Sequence, residues 1–306
     1  MTWLINPYRF GGTTLAAAYW KFIPLAWPDS TGTLIVGDIG LAATSGGANL
    51  LTGGTATAGV GTAANAFDGN LGNRWTPTAV NAAAGTAWVK YACAAPILPV
   101  EFFATAGGNS GDKGGMPTVW LIQNSADDVA YNSVMIAEFA AYASDGQKQT
   151  AALAQADFED IEANARGWEY NMTGHPQGAS GGGWLREIEF RPTYGGSAST
   201  GHADYCYVTR PYAGSGDDGK PRRLFDGNTS SLNVSVGTPY TPCRFGFIRA
   251  EPIGVMEELR INPESGDQAT ALTARWTVDG INWHDKKAFS SITGWSNGTF
   301  KSFDLR

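Results

Sequence analysis

The side chains able to do chemistry in this sequence are acids far more than bases: 28 Asp and Glu stand against 21 Lys and Arg, and there are only three His. His175, His202 and His284 are not at metal-ligand spacing, and no His-Glu-x-x-His occurs. No Gly-x-Ser-x-Gly elbow is present, since Gly108-Asn109-Ser110-Gly111 lacks the final spacing. Gly59-Val60-Gly61-Thr62-Ala63-Ala64 has the letters of a dinucleotide fingerprint. That motif needs a buried strand before it and a helix after it, whereas here Gly53-Gly54-Thr55-Ala56-Thr57-Ala58 precedes and Asp68-Gly69-Asn70 interrupts any helix. No two acids are fixed by spacing at glycosidase geometry. The expectation is therefore a chain that is not an enzyme. What remains is a pair of acidic turns, Ala66-Phe67-Asp68-Gly69-Asn70 and Leu224-Phe225-Asp226-Gly227-Asn228. In such turns an Asp carboxylate holds backbone amides.

The two turns belong to a larger repetition. Trp20 in Tyr19-Trp20-Lys21-Phe22 answers to Trp168 in Gly167-Trp168-Glu169-Tyr170. Asp38-Ile39-Gly40-Leu41 answers to Glu187-Ile188-Glu189-Phe190, and Asp127 to Tyr131 answers to Asp279 to Trp283. Four landmarks in one order, each displaced by about 150 residues, make a tandem duplication of domain-sized units rather than a solenoid. The boundaries expected are 1–155 and 156–306.

Composition constrains the class. Charged residues are 16% of the 306, below the roughly 25% of ordinary soluble domains, while Gly (40), Trp (11), Tyr (11) and Phe (14) are plentiful. That balance favours many short strands and turns over long helices. A net charge of −7 without a Lys/Arg cluster argues against nucleic acid; the one basic pair, Arg222-Arg223, reads as a solvated turn. No apolar run approaches the ~20 residues of a membrane span, and no secretory leader is read at the start. Cys93, Cys206 and Cys243 show no short spacing and read as buried thiols, with a Cys206–Cys243 bridge left open.

Along the chain, Trp3, Ile5, Tyr8 and Phe10 form either a first strand or an arm that docks on a neighbour. Strands are expected over 19–25, ending at Pro24, and over 33–41, 86–92, 99–105 and 118–123, with one or two more in 132–150. Residues 151–165 have the one helix-like composition and fall at the junction, where a short connecting helix or a mere linker would serve. The second unit offers strands over 167–170, 184–191, 205–210, 244–251, 256–261 and 271–278, the last running into an Asp279-Gly280 hairpin turn, and an alternating end at 300–303. Two packed antiparallel sheets per unit are the natural closure, an all-β pair of sandwiches.

These landmarks resemble the discoidin, or coagulation-factor type C, domain. The resemblance rests on the two Phe-Asp-Gly-Asn turns, Arg74-Trp75, Trp276 to Trp283 and Glu187-Ile188-Glu189. It implies two tandem galactose-binding-like jelly rolls. The opening Trp3 to Phe10 and the closing Trp295 to Phe303 resemble structural proteins of tailed bacteriophages, in which such units sit in tails, baseplates and fibres.

The resemblance also implies sites. A structural calcium ion beneath each Asp-Gly-Asn turn would use Asp38 with Asp68, and Glu187 with Asp226, as oxygen ligands. Against this, the family's Thr after the turn is Asn73 in the first unit. Carbohydrate-binding candidates on loops and strand ends are Arg74, Tyr212, Arg222 and Trp295, while Trp75 and Trp283 read better as core. The function expected is a non-enzymatic tail component that assembles with other tail proteins in the virion, grips a partner through Trp3, Ile5, Tyr8 and Phe10, and meets host surface glycans. The alternative is a stand-alone lectin.

Overall fold

The computed structural model describes residues 16–30, 32–174, 184–209, 220–229, 234–235, 242–264 and 269–306. Trp3, Ile5, Tyr8, Phe10 and Tyr212 lie outside these residues, as does His175. The chain is all-β.

The N-terminal strands are β1 (Ala17–Ala26), β2 (Asp38–Ala42), β3 (Thr55–Ala58), β4 (Val89–Ile97), β5 (Glu101–Thr105), β6 (Val119–Ser125), β7 (Asn132–Glu138) and β8 (Lys148–Ala152). They form a five-stranded antiparallel sheet in the order β3-β4-β1-β6-β7 and a three-stranded one in the order β2-β5-β8. Alternation along β1 turns Trp20 and Phe22 inward, where they meet Ile39, Leu41 and Phe102 from the other sheet in one core. Phe102 stacks on Phe22 at 5.6 Å and on Phe139 at 5.6 Å.

The C-terminal strands are β9 (Gly167–Gly174), β10 (Trp184–Arg191), β11 (Cys206–Val208), β12 (Val234–Ser235), β13 (Cys243–Ile248), β14 (Glu258–Pro263), β15 (Ala271–Thr277), β16 (His284–Phe289) and β17 (Lys301–Asp304). The five-stranded sheet is ordered β11-β13-β9-β15-β16, and the second sheet β12-β10-β14-β17. With β9 matched to β1, every strand finds its counterpart in the same place, and β12 is the sole addition among the described residues. Trp168 takes the buried place of Trp20.

A third apolar cluster joins the units. Ile23, Leu25, Val119, Leu121 and Ile136, on the outer face of the first five-stranded sheet, pack with Tyr207, Ile248 and Trp283 of the second unit. Polar contacts flank them. Trp27 N donates to the Cys206 carbonyl at 3.1 Å, and its indole N–H to the Val208 carbonyl at 3.2 Å. Thr118 Oγ1 donates to the Asp204 carbonyl at 2.6 Å, and Arg249 pairs with Glu138 at 2.8 Å. The Asp279-Gly280 turn presses on the first unit: a Cβ at Gly280 would stand 2.6 Å from Leu25 Cδ1.

Several expectations need correction. Residues 151–165 are not helical. They continue β8 and then run extended to a 3-10 turn at Glu162–Asn164, because Leu153 N and Ala156 N bond to the Val100 and Val134 carbonyls. Tertiary backbone pairing outweighs helix propensity here. Among the described residues the α-helix that does form is the short Ala79–Ala83, started by a capping box between Thr78 and Asn81. Pro24 does not end β1. It sits where the β1–β6 register shifts, a place that needs no proline N–H. No disulfide joins the three thiols, and Cys93 is only partly buried whereas Cys206 and Cys243 are buried as expected.

Candidate functional site

In each unit the second strand delivers one acid to the Asp-Gly-Asn turn. In the first, a 3-10 turn at Ala63–Ala66 leads into Phe67, which packs against the core and leaves Asp68 at the surface. Asp68 Oδ1 accepts from Asn70 N at 2.8 Å, and its Oδ2 from Asn73 Nδ2 at 2.8 Å. Gly69 occupies the left-handed region (φ 67°) that such a turn requires and donates its N–H to Asp38, the first residue of β2. Burial pushes the Asp38 carboxyl up to about 6; Asp68 adds to the rise, while the Gly69 amide and Lys148 oppose it.

The second unit repeats the plan with a longer acid. A 3-10 turn at Pro221–Leu224 leads into Phe225, and Asp226 Oδ1 accepts from Asn228 N at 2.8 Å. Gly227 N donates to Glu187 Oε1 at 3.3 Å. Glu187 is only 2% exposed. Burial first, and then the adjoining Asp226 carboxylate, pushes its carboxyl up to about 9. Its cross-strand partner on β14 is Asn262, 1% exposed. Glu187 Oε2 and Asn262 Oδ1 are both buried without a hydrogen-bond donor. Buried oxygens of this kind are costly unless something positive meets them.

The two sites therefore differ in their fitness for a cation. Among the described residues there is no group of three His, Cys, Asp or Glu able to hold a metal. In the second unit, however, two carboxylates adjoin and the amide of Asn262 stands across the strand pair from Glu187, a donor set suited to a hard cation such as calcium. In the first, Asp38 Oδ1 is likewise buried without a hydrogen-bond partner, but both Asp68 oxygens are already bonded, and the ammonium of Lys148 lies near Asp38. The residues present fit calcium better at Glu187, Asp226 and Asn262 than at Asp38 and Asp68, where Lys148 and the bonds already made by Asp68 compete with it. Asn262 was not readable from sequence, because only the β10–β14 register sets it against Glu187.

The carbohydrate candidates are dispersed. Arg74 is ion-paired at 2.6 Å to the buried Asp112, bracing the glycine loop over 107–115 against the first turn. Trp75 is wholly buried and donates to the Val60 carbonyl at 2.8 Å. Arg222 pairs with Asp29 at 3.0 Å and with Asp204, and its N–H bonds the Pro28 carbonyl at 3.1 Å. Arg222 is thus a strut between units rather than part of a freely solvated turn. Trp295 packs on Phe303 and donates to the Ala269 carbonyl at 3.0 Å, with the Lys301 ammonium 5.5 Å from its ring.

One further pair stands beside the second site. Ser199 Oγ lies 2.7 Å from His202 Nε2, in a cavity of about 90 Å³ that Glu187 and Asp226 also line. The His202 ring stacks on Phe247 at 3.7 Å, burial pushes it down to about 3, and its Nδ1 has no partner. A neutral imidazole with no acid to orient it is a poor base for activating a serine.

No protein family, curated protein or solved structure matches the chain.

Proposed function

We propose that this chain is a non-enzymatic structural component of a phage tail, in the tip, baseplate or fibre region, built from two galactose-binding-like jelly rolls. In this reading it assembles with other tail proteins and meets host surface glycans, with a calcium ion stiffening the second unit's turn. The observation that best supports an architectural role is the junction. Two sandwiches of one plan are joined by an apolar cluster, backbone hydrogen bonds and ion pairs, the arrangement of a load-transmitting body rather than of domains on a free linker. The tail itself is proposed on the resemblance of the opening and closing segments. When bound, calcium would supply positive charge to Glu187, Asp226 and Asn262, and these residues would in turn fix the position of Gly227.

A stand-alone carbohydrate-binding protein is the second reading, favoured by the cleft between units described below. Binding to an array of bacterial polysaccharides and lipopolysaccharides, with calcium and then with chelator, tests the glycan part. Saturable binding lost on chelation is the expected result. Absence of binding to every glycan would leave architecture alone.

A further inference from the structure

We propose that the cleft between the two units binds a carboxylate-bearing sugar ring, with Lys21 and Arg244 meeting the carboxylate and Trp283 meeting the ring face. The inference deepens the glycan reading, and it does so at residues other than Arg74, Tyr212, Arg222 and Trp295.

The cleft encloses about 200 Å³ and exists only because the units are docked. Lys21, Ile23 and Leu25 come from the first, and Arg244, Ile248 and Trp283 from the second. Its size is below the roughly 300–1,000 Å³ of pockets for drug-sized ligands, so one ring fits and an oligosaccharide does not.

Charge selects an acid. The cleft is lined by two cations, Lys21 and Arg244, and by no carboxylate; the acids that act on them or on their neighbours, Asp128, Glu169 and Asp285, stand behind the lining. All three carboxylates are engaged. Lys90 holds Asp128 at 2.7 Å, and Arg275 holds Asp285 at 3.0 Å. Glu169, wholly buried, takes Arg275 at 2.8 Å and the Tyr207 hydroxyl at 2.6 Å. Lys21 and Arg244 have no ion pair within bonding distance among the described residues: the Lys21 ammonium lies 5.0 Å from the Trp88 ring and 5.5 Å from the Tyr131 ring, and Arg244 acts on Glu169 only at longer range. In a chain of net charge −7, a cleft with excess positive charge is a local exception, and low-dielectric walls strengthen its pull on an anion. Burial and the neighbouring Lys90 push the Lys21 ammonium down, a penalty that a bound carboxylate would offset.

The wall selects a ring. Trp27 and Tyr207 lie 5.5 Å apart, and Tyr207 and Trp283 6.4 Å apart, in one aromatic row. The first two are buried and support the half-buried Trp283, whose indole N–H is fixed to the Gly280 carbonyl at 3.3 Å. A pyranose offers an apolar C–H face to such an aromatic.

NMR titration of the full chain with methyl β-D-glucuronide, methyl β-D-glucoside and sodium acetate tests this. The glucuronide should saturate and shift the Trp283 indole signal, at least tenfold more tightly than either control. Lys21→Met and Arg244→Met should each weaken it at least tenfold with melting unchanged. Should Arg244→Met fail to fold, Lys21→Met and Trp283→Phe carry the test. Equal affinity for the glucoside or acetate, or glucuronide binding indifferent to these variants, or no saturation, would overturn the proposal. Array binding that persists in the Lys21 and Arg244 variants would remove the cleft and keep the glycan reading. Glucuronide binding with a blank array would do the reverse.

Discussion

The same four-residue device, Phe-Asp-Gly-Asn held by an acid from the second strand, stands in both units with different surroundings. Asp38 is short; it accepts the Gly69 amide and has Lys148 nearby, and Asp68 is saturated by Asn70 and Asn73. Glu187 is one methylene longer, reaches the Asp226 carboxylate and is paired across the strands with Asn262, and the charges that weigh most on it are those of Asp226 and Glu189. The turn needs only one carboxylate oxygen per glycine amide. Each unit leaves one buried carboxylate oxygen without a partner, Asp38 Oδ1 and Glu187 Oε2; what the second adds is the buried Asn262 Oδ1 and a carboxylate neighbour that weighs more heavily on Glu187, a richer donor set for a proton or a cation.

A second pair of equivalent turns makes the same point through packing. Asp127 Oδ1 accepts from Val129 N, Ala130 N and Ser125 Oγ; Asp279 Oδ1 accepts from Ile281 N, Asn282 N and Thr277 Oγ1. The local chemistry is one design. The first turn is open to solvent, with Val129 83% exposed, while the second is driven against Leu25 of the other unit.

The largest expected effect comes from breaking that packing. Gly280→Ala places a methyl group against Leu25 at a left-handed backbone position (φ 80°) and should cost about 2–4 kcal/mol. Val129→Asp on the equivalent exposed turn should stay within about 0.5 kcal/mol. Denaturant melts check both, and equal costs would show that the Gly280 turn does not bear on the junction.

Next in size is the pH response. A carboxyl raised on folding lets the folded state hold more protons than the unfolded chain between the two pKa values, so stability falls as pH rises through that window. The window runs from roughly 4 to about 6 for Asp38 and from roughly 4 to about 9 for Glu187. Glu187→Gln keeps an acceptor for Gly227 and gives Asp226 a donor. At pH 8 without added metal it should raise the melting temperature by roughly 2–8 °C and flatten the pH dependence. Asp38→Asn should do the same more weakly, with most of its effect complete by pH 7. A Glu187→Gln protein that melts lower at pH 8 would contradict the assignment.

Much of this plan was legible in the sequence. Trp20 and Trp168, the paired turns and the acids at 38 and 187 stand in matching order, and the structure puts each pair at matching points of two sheets with one strand order. The failures share a physical cause. The 151–165 segment has helical composition, yet its amides are claimed by Val100 and Val134 carbonyls far away in sequence. Asn262 and Lys148 matter through register with β10 and β5, and Lys21 and Arg244 line one cleft only because two sheets dock back to back. Arg74, Arg222 and Trp295 looked free for a ligand because their partners, Asp112, Asp29 with Asp204, and Phe303, are distant along the chain.

Calorimetric titration of calcium into the wild-type chain and into the Glu187→Gln and Asp38→Asn variants at pH 8 tests the divergence of the two turns most directly. One site is predicted in the wild type, lost in Glu187→Gln and intact in Asp38→Asn. Binding at two sites, binding lost with Asp38 instead, or no binding at all would contradict it.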